Sequence, residues 1–125
     1  MSGMGELLLA LDFGGTKHTA ATITKGERQW QAHRRAFAPA NGNAQSDLDI
    51  MLTLARDVLN GAQPAAIGVS FGGPVDARYG VVRLSHHVAG WENFPLRDWL
   101  REKFNARRDS ITGQSYRSGF DDAHG

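Results

Sequence analysis

The chain has 125 residues, of which 41% are apolar and 22% charged, with a formal net charge of +1. This composition predicts one soluble globular domain and excludes the strongly basic surface typical of proteins that bind nucleic acid or anionic membranes. The absence of cysteine excludes a disulfide scaffold and a thiolate metal site, and it agrees with a cytoplasmic location. The apolar stretch Leu7 to Leu11 is far too short for a signal sequence or a membrane span.

The first half of the chain predicts three strands followed by a helix. Leu7–Asp12 is an apolar run closed by glycines, and His18–Ile23 and Gln29–Phe37 follow after turns, which gives an antiparallel three-stranded meander. Ser46 then suits a helix N-cap, and Asn60-Gly61 suits its C-terminal stop. Between them, apolar residues recur every three or four positions and define one face of the helix: Leu48, Met51, Leu52, Ala55, Val58 and Leu59.

The second half repeats the step from a strand into a glycine turn. Ala65–Ser70 is an apolar, β-prone run that ends at Gly72-Gly73-Pro74, so a second glycine turn faces the first, and Val81–Leu84 is a further short strand. Pro95 suits the first residue of a second helix. The apolar face of that helix is formed by Leu96, Trp99, Leu100 and Phe104. The predicted order β-β-β-α-β-(β)-α describes an α/β fold.

The character of the chain changes after Asn105. Residues 106–125 are rich in arginine, serine, glycine and aspartate, and the scattered Ile111, Tyr116 and Phe120 follow no helical or strand period. So little apolar surface cannot offset the entropy lost on ordering such a segment. The sequence therefore predicts a domain over residues 1–105 and a polar, disordered tail over residues 106–125.

The turn after the first strand combines the groups that phosphate binding needs. Gly14 and Gly15 let the main chain approach an anion, while Thr16 adds a hydroxyl and Lys17 a positive charge. The carboxylate of Asp12, at the end of the strand, suits Mg²⁺ either directly or through water. The alternative is a plain hairpin, in which the glycines only provide positive φ and the lysine is solvated. The spacing of the glycines excludes a Walker A loop.

Two further motifs in the chain bear on the interpretation of this turn. Gly68-Val-Ser-Phe-Gly-Gly-Pro-Val-Asp76 and Gly90-Trp-Glu92 follow Leu11-Asp-Phe-Gly-Gly-Thr-Lys17 in the chain. Together these three motifs resemble the ROK family of bacterial sugar kinases and sugar-responsive repressors, in the same order and spacing, over about residues 7–105. The resemblance implies the N-terminal domain of an actin-like, ribonuclease-H-like ATPase fold with a mixed sheet. In that fold two α/β domains clamp ATP and a sugar between them.

The resemblance also implies which residues bind the ligands. The ATP phosphates and Mg²⁺ would be bound by Asp12, Gly14, Gly15, Thr16 and Lys17. The sugar, a hexose, would be bound by Gly72, Gly73, Pro74 and His86. ATP, Mg²⁺ and a hexose are therefore the expected ligands, and no nucleic acid or membrane partner is expected.

Some of the residues near the sugar side have a structural alternative. His86 and the adjacent His87 point to opposite sides of an extended segment and are equally consistent with a surface position. Trp91, Phe94 and Trp99 suit a platform for sugar stacking, although aromatic residues at this spacing favour the core. No metal site built by protein ligands alone is predicted, because a closed zinc site needs about four well-placed ligands.

The resemblance stops near Asn105. In the family a buried strand follows and leads into Glu-Asn-Asp-Ala-Asn, whose aspartate takes the proton of the sugar hydroxyl. Asp109, Asp121 and Asp122 do not stand in such a setting, so no catalytic base is assigned. The abrupt change indicates a truncated or frame-shifted gene product. A missing strand would leave a sheet edge unpaired and would favour a homodimer through that edge.

The sequence favours the N-terminal part of an ATP-dependent hexose kinase, similar to glucokinase. Without the base, the adenosine site and the second domain, this chain is expected to be inactive alone. A first alternative is the sugar-sensing domain of a ROK repressor. It is disfavoured because Asp12 lies too near the start for a DNA-binding module to precede it, and because no basic patch is present. A second alternative is a nonfunctional fragment whose fold alone survives.

Overall fold

A sheet and two helices make up the part of the chain that the computed structural model describes, residues 6–72, 75–76, 80–82, 90–106 and 110–115. The elements are β1 (Leu7–Phe13), β2 (Lys17–Thr24), β3 (Ala32–Phe37), α1 (Ala44–Leu59), β4 (Ala66–Phe71), β5 (Val75–Asp76), β6 (Val81–Val82), α2 (Leu96–Phe104) and β7 (Ile111–Ser115). Five strands form one sheet in the order β3-β2-β1-β4-β7, and β5 pairs with β6 in a separate hairpin.

The sheet is mixed and begins with the predicted meander. β1 pairs with β2 and β2 with β3 in antiparallel fashion, whereas β1, β4 and β7 run parallel to one another. Parallel neighbours need a crossover connection. The connection from β1 to β4 contains β2, β3 and α1, and the connection from β4 to β7 contains β5, β6 and α2. The predicted α/β fold is confirmed.

One face of the sheet packs against α1 and forms the core. Successive strand residues point to opposite faces, so Leu9, Leu11 and Phe13 of β1 point the same way and are all buried. From α1 the predicted apolar face meets them, with Met51 only 1% exposed and Ala55 fully buried. Burying each large side chain contributes about 1.5–3 kcal/mol, which is why this face fixes the position of α1 on the sheet.

The start of α1 differs from the prediction by three residues. Asn43 is the N-cap, not Ser46, and the helix begins at Ala44. The backbone N–H of Ser46 donates to Oδ1 of Asn43 at 2.9 Å, and the backbone N–H of Asn43 donates to Oγ of Ser46 at 2.8 Å. This reciprocal pair is a capping box, so the serine is the third residue of the helix rather than the cap. The predicted stop is confirmed, since Asn60 is the left-handed C-cap with φ of 49°.

Removal of the cap gives a first testable effect. We expect Asn43→Ala to lower the free energy of unfolding by about 1 kcal/mol, because the amide of Ser46 loses its side-chain acceptor. Asn41→Ala is the matched control, since Asn41 is exposed and lies outside the helix. Urea unfolding followed by circular dichroism measures both, and equal effects of the two substitutions would contradict the assigned cap.

The second helix is shorter and sits close to its predicted place. Pro95 occupies the N-cap position, one residue before the first helical residue, and Leu96, Leu100 and Phe104 form the buried stripe. Of the two helices in the described ranges, neither combines the length and apolar character that crossing a bilayer requires.

The prediction that no strand forms after Asn105 is wrong. Residues Ile111–Ser115 form β7, which pairs in parallel with β4 from Ile67↔Ile111 to Phe71↔Ser115. The sequence signal is weak because Ile111 is the only apolar side chain of the strand, and it is 5% exposed. Pairing with β4 satisfies the backbone hydrogen bonds of this segment, and such long-range pairing cannot be predicted from the local sequence. Residues 116–125 of the predicted tail lie outside the described ranges.

β7 also removes the premise of the predicted homodimer. A strand is present after α2, since β7 pairs with β4, and the outer strands of the described sheet are β3 and β7. The argument from a missing strand is therefore wrong, and the homodimer itself stays a prediction.

Candidate functional site

The carboxyl ends of β1 and β4, where the two predicted glycine turns begin, lie side by side. β1 and β4 are parallel neighbours in the register Asp12↔Ser70 and Phe13↔Phe71, so both strands end at the same level. The backbone N–H of Gly72 donates to the carbonyl of Phe13 at 3.2 Å, which ties the second turn to the end of β1. The carboxyl ends of parallel strands are the usual position of ligand clefts in α/β folds. The predicted approach of the two turns is confirmed for Gly72.

The other residues predicted on the sugar side, Gly73, Pro74 and His86, lie outside the described ranges, as does the neighbouring His87. The aromatic residues are described, and they favour the structural alternative. Trp91 is 1% exposed and belongs to the core, while Phe94 and Trp99 are half-buried and pack against it. Trp91 therefore cannot offer a ring face to a sugar.

Gly14 is required by the geometry of the first turn. Its N–H donates to the carbonyl of Lys17 at 3.0 Å, and a Cβ at this position would lie 2.5 Å from that same oxygen. Neither Gly14 nor Gly15 has a positive φ. The plain hairpin in which both glycines serve to provide positive φ is therefore wrong.

Gly15 has a different environment. A Cβ built on it would meet no atom of the described chain within 4 Å, and its φ lies in the range open to any residue. Among the described residues, a side chain at this position would therefore fit without moving its neighbours. The missing side chain leaves the backbone of the turn accessible from outside, next to the exposed Thr16 and Lys17. Open backbone amides beside a lysine are the elements of an anion site.

Asp12 faces the side of the sheet opposite α1. The alternation of strand residues assigns this face, since Leu11 and Phe13 point into the core beneath α1. Asp12 is exposed, and its neighbours across the strands are Thr19 on β2 and Ser70 on β4. The carboxylate thus lies just before the first glycine turn, within a row of hydroxyl side chains.

An open groove of about 660 Å³ runs over this same face. Its floor is formed by small residues, Ala10, Ala21 and Gly68, which leave depth above the sheet. Polar and aromatic side chains border it, namely Asp12, Thr19, Trp30, His33, Arg35, Ser70 and Thr112. The groove includes Asp12, which the sequence predicted as a ligand-binding residue. The sequence did not indicate the groove residues on β3, His33 and Arg35, because single polar residues on a strand are ordinary.

Sequence reasoning also missed a buried polar cluster close to both turns. Nε2 of His18 lies 2.9 Å from Oδ1 of Asp47, and Nε1 of Trp91 donates to Oδ2 of Asp47 at 3.2 Å. These three residues come from β2, α1 and the segment before α2. The polar Asp47 within the first turn of an otherwise apolar helix face was the one signal that pointed to it.

The described residues offer few acidic or metal-binding groups near the first turn. β7 reads Ile-Thr-Gly-Gln-Ser and contains no acid, and the positions after it, where the resemblance would have the aspartate, lie outside the described ranges. Across the described ranges, no three histidine or acidic side chains converge to form a metal site. Asp12 is thus the acid that the first turn offers to a cation.

Comparison with known proteins agrees with this architecture. No protein-family model matches the sequence. A glucokinase from Thermotoga maritima is 25% identical over 99 residues, which are 77% of this chain and 30% of that protein. The structure of a ROK family glucokinase from Streptomyces griseus in complex with glucose and AMPPNP matches with a TM-score of 0.72 and 20% identity, over 87% of this chain and 33% of that one.

A regulator has the same fold. The structure of a ROK family transcriptional regulator, a homologue of the E. coli MLC protein, matches with a TM-score of 0.71 and 16% identity, over 89% of this chain and 28% of that one. The chain thus spans about a third of the length of the proteins it matches. The structural neighbours are ROK kinases and a ROK regulator, and the resemblance inferred from the three motifs is confirmed at the level of the fold.

Proposed function

We propose that this chain is the phosphate-binding N-terminal part of an ATP-dependent sugar kinase of the ROK family. The observation that carries the proposal is the turn after β1, where Gly15 has an ordinary φ and a Cβ on it would meet no atom of the described residues within 4 Å. The position of this turn beside Gly72, at the carboxyl ends of two parallel strands, supports it. The similarity to a glucokinase sequence supports the kinase class.

The residues of the first turn fit the phosphate end of ATP. The backbone of Gly15 is open, the hydroxyl of Thr16 is exposed as a donor, and the ammonium of Lys17 supplies positive charge to a polyphosphate. Asp12 fits Mg²⁺, which is usually held by one or two carboxylates together with phosphate oxygens and water. Mg²⁺ bound there would neutralise charge on the phosphates. The chain's own residues would orient those phosphates toward the second turn.

The sugar would bind on the side of the second glycine turn. Gly72 lies next to the end of β1, so a ligand held at this turn would meet one held at the first. We extend this assignment to Gly73, Pro74 and His86 on the resemblance alone. Phosphoryl transfer needs both substrates in line and close together, and two adjacent turns satisfy that requirement.

The chain alone is proposed to bind substrates without phosphorylating a sugar. A kinase of this kind needs a group that accepts the proton of the attacking hydroxyl. β7 carries no acid, and Asp12 is the acid that lines the groove beside the first turn. A cytoplasmic location fits the lack of cysteine, and a homodimer through a sheet edge would have to use β3 or β7.

Titration of the isotope-labelled chain with ATP–Mg²⁺ tests the phosphate site. We expect the amide resonances of Gly14 to Lys17 to shift at millimolar nucleotide. Adenosine, which lacks phosphates, should leave them unchanged. Asp12→Asn should weaken the Mg²⁺-dependent part of the binding by about tenfold, because a contact with a charged group is lost. Asp98→Asn is the matched control, since Asp98 is an exposed acid on α2.

Two results would contradict the kinase proposal. One is a first turn that does not respond to ATP–Mg²⁺ at all. The other is an equal response to adenosine, which would place the contact away from the phosphates.

A sugar sensor is the second candidate, because a ROK transcriptional regulator shares the fold to the same extent. A sensor would bind sugar at the second turn and would not need the open backbone of Gly15. Titration with glucose in the absence of nucleotide separates the two. Shifts at Gly72 with glucose, and none at Gly15 with ATP–Mg²⁺, would favour the sensor. A nonfunctional fragment would respond to neither.

A further inference from the structure

The buried cluster formed by His18, Asp47 and Trp91 is costly for the protein. The three residues are 1%, 4% and 1% exposed, and Asp47 is an acid taken out of water. Both of its oxygens are bonded, which offsets part of the desolvation cost. Nδ1 of His18 has no partner in the described part of the chain. Replacement of such a cluster by apolar side chains is often neutral or stabilising, so stability alone does not explain it.

The cluster contacts the ends of the two strands that lead into the glycine turns. His18 directly follows the first turn on β2. Phe13 and Phe71 are the residues immediately before the first and second turns, and their ring centroids lie 5.5 Å and 4.8 Å from that of Trp91. The two phenylalanine rings also contact each other, with centroids 5.7 Å apart. One tryptophan thus packs beneath the ends of both strands.

Asp47 holds this tryptophan against the start of α1. Gly90, with φ of 97°, comes so close to the helix that a Cβ on it would lie 3.1 Å from Cβ of Ala44. The backbone N–H of Phe94 donates to the carbonyl of Trp91 at 3.1 Å and closes the segment into a turn. Apolar contacts would allow the rings to slide, whereas two hydrogen bonds to one carboxylate fix the direction of each ring.

We propose that Asp47 is a positioning residue that holds the two glycine turns in a fixed relative position, through His18 at the first turn and Trp91 beneath both. The proposal deepens the proposed function and rests on it for its meaning, because in-line transfer requires the phosphate and the sugar to be held at a set distance. The structural part of the proposal, the coupling of the two turns, is tested without any ligand.

Asp47→Asn is the variant that breaks the network with little change of shape. An asparagine has one acceptor oxygen and an NH₂ group, so it cannot accept both bonds. Asp57→Asn makes the same substitution on the same helix, where Asp57 is exposed and pairs with Arg34. Amide hydrogen exchange of the ligand-free chain gives the readout. We expect exchange at the hydrogen-bonded amides of Gly14 and Gly72 and at the indole Nε1 of Trp91 to rise about tenfold in Asp47→Asn and to stay unchanged in Asp57→Asn.

The distribution of the effect decides the proposal. If exchange rises equally throughout the sheet, including β3, the network only stabilises the domain and the proposal is wrong. It is equally wrong if Asp47→Asn changes neither turn. Trp91→Phe, compared with Trp99→Phe, covers the case in which Asp47→Asn does not fold. It keeps an aromatic ring among the phenylalanines and removes the donor, and the same rise confined to the turns is expected.

Binding of ATP–Mg²⁺ then separates the two proposals. If the unsubstituted chain does not bind ATP–Mg²⁺ at the first turn, the proposed function fails, while the ligand-free exchange pattern still decides the coupling. If it binds and the turns are coupled, Asp47→Asn should weaken binding about tenfold although Asp47 is buried away from the nucleotide.

Discussion

Trp91→Ala is expected to lower the free energy of unfolding by about 3–5 kcal/mol, the loss typical of a large aromatic side chain removed from a core. Trp91 is 1% exposed and contacts Phe13, Phe71 and Phe94, so its removal leaves a cavity at the junction of β1, β4 and the segment before α2. It also leaves Asp47 with one hydrogen bond fewer. A domain of this size is stable by only about 5–15 kcal/mol, so the variant should be close to unfolding.

Trp30→Ala is the control for this prediction. Trp30 is 55% exposed, and we expect its loss to change stability by no more than about 0.5 kcal/mol. Urea unfolding followed by far-ultraviolet circular dichroism measures both variants without depending on tryptophan fluorescence. A change below about 1 kcal/mol for Trp91→Ala would contradict the assignment of this residue to the core. It would restore the exposed stacking platform as an interpretation.

Substitution by alanine should affect the free energy of unfolding differently at the two glycines of the first turn. Gly14→Ala should lower the free energy of unfolding by about 1–3 kcal/mol, because the new Cβ would lie 2.5 Å from the carbonyl of Lys17. Gly15→Ala should leave stability within about 0.5 kcal/mol, or raise it slightly by restricting the unfolded chain. Binding of ATP–Mg²⁺ should nevertheless weaken by about tenfold or more in Gly15→Ala, because a methyl group then covers the open backbone.

Gly68→Ala is the matched control for Gly15. A Cβ on Gly68 also meets nothing within 4 Å and needs no special φ, but Gly68 lies on β4 away from the turn. The free energy of unfolding should be unchanged in this variant, as in Gly15→Ala. Unaltered ATP–Mg²⁺ binding by Gly15→Ala would remove the observation on which the kinase proposal depends.

The predictable part of the fold follows from local patterns. The period of the apolar residues in Leu48 to Leu59 placed α1 and its buried face, and the runs before the two glycine turns placed β1 and β4. The N-cap was misplaced at Ser46 because asparagine and serine have nearly equal preference for that position. Reciprocal hydrogen bonds with Asn43 decide between them, and these depend on the conformation.

The candidate site also has a part that local sequence predicted and a part that it did not. The motif Asp12 to Lys17 indicated phosphate chemistry but left a plain hairpin open, since residue types do not reveal φ. The structure contradicts one part of that alternative, the positive φ, while β1 and β2 do pair as an antiparallel hairpin with Lys17 exposed. The network around Asp47 was not predictable, because its partners lie 29 and 44 residues away in the chain.

The sequence by itself determined the fold class, the order of most elements and the two glycine turns, because periodicity and turn chemistry are local properties of the chain. Only the tertiary structure decided that Ile111–Ser115 is a strand, since pairing with β4 compensates for a segment with a single buried apolar residue. It alone also showed that Trp91 packs against the last residues of both β1 and β4. Contacts of this kind join residues far apart in the chain, and no local pattern encodes them.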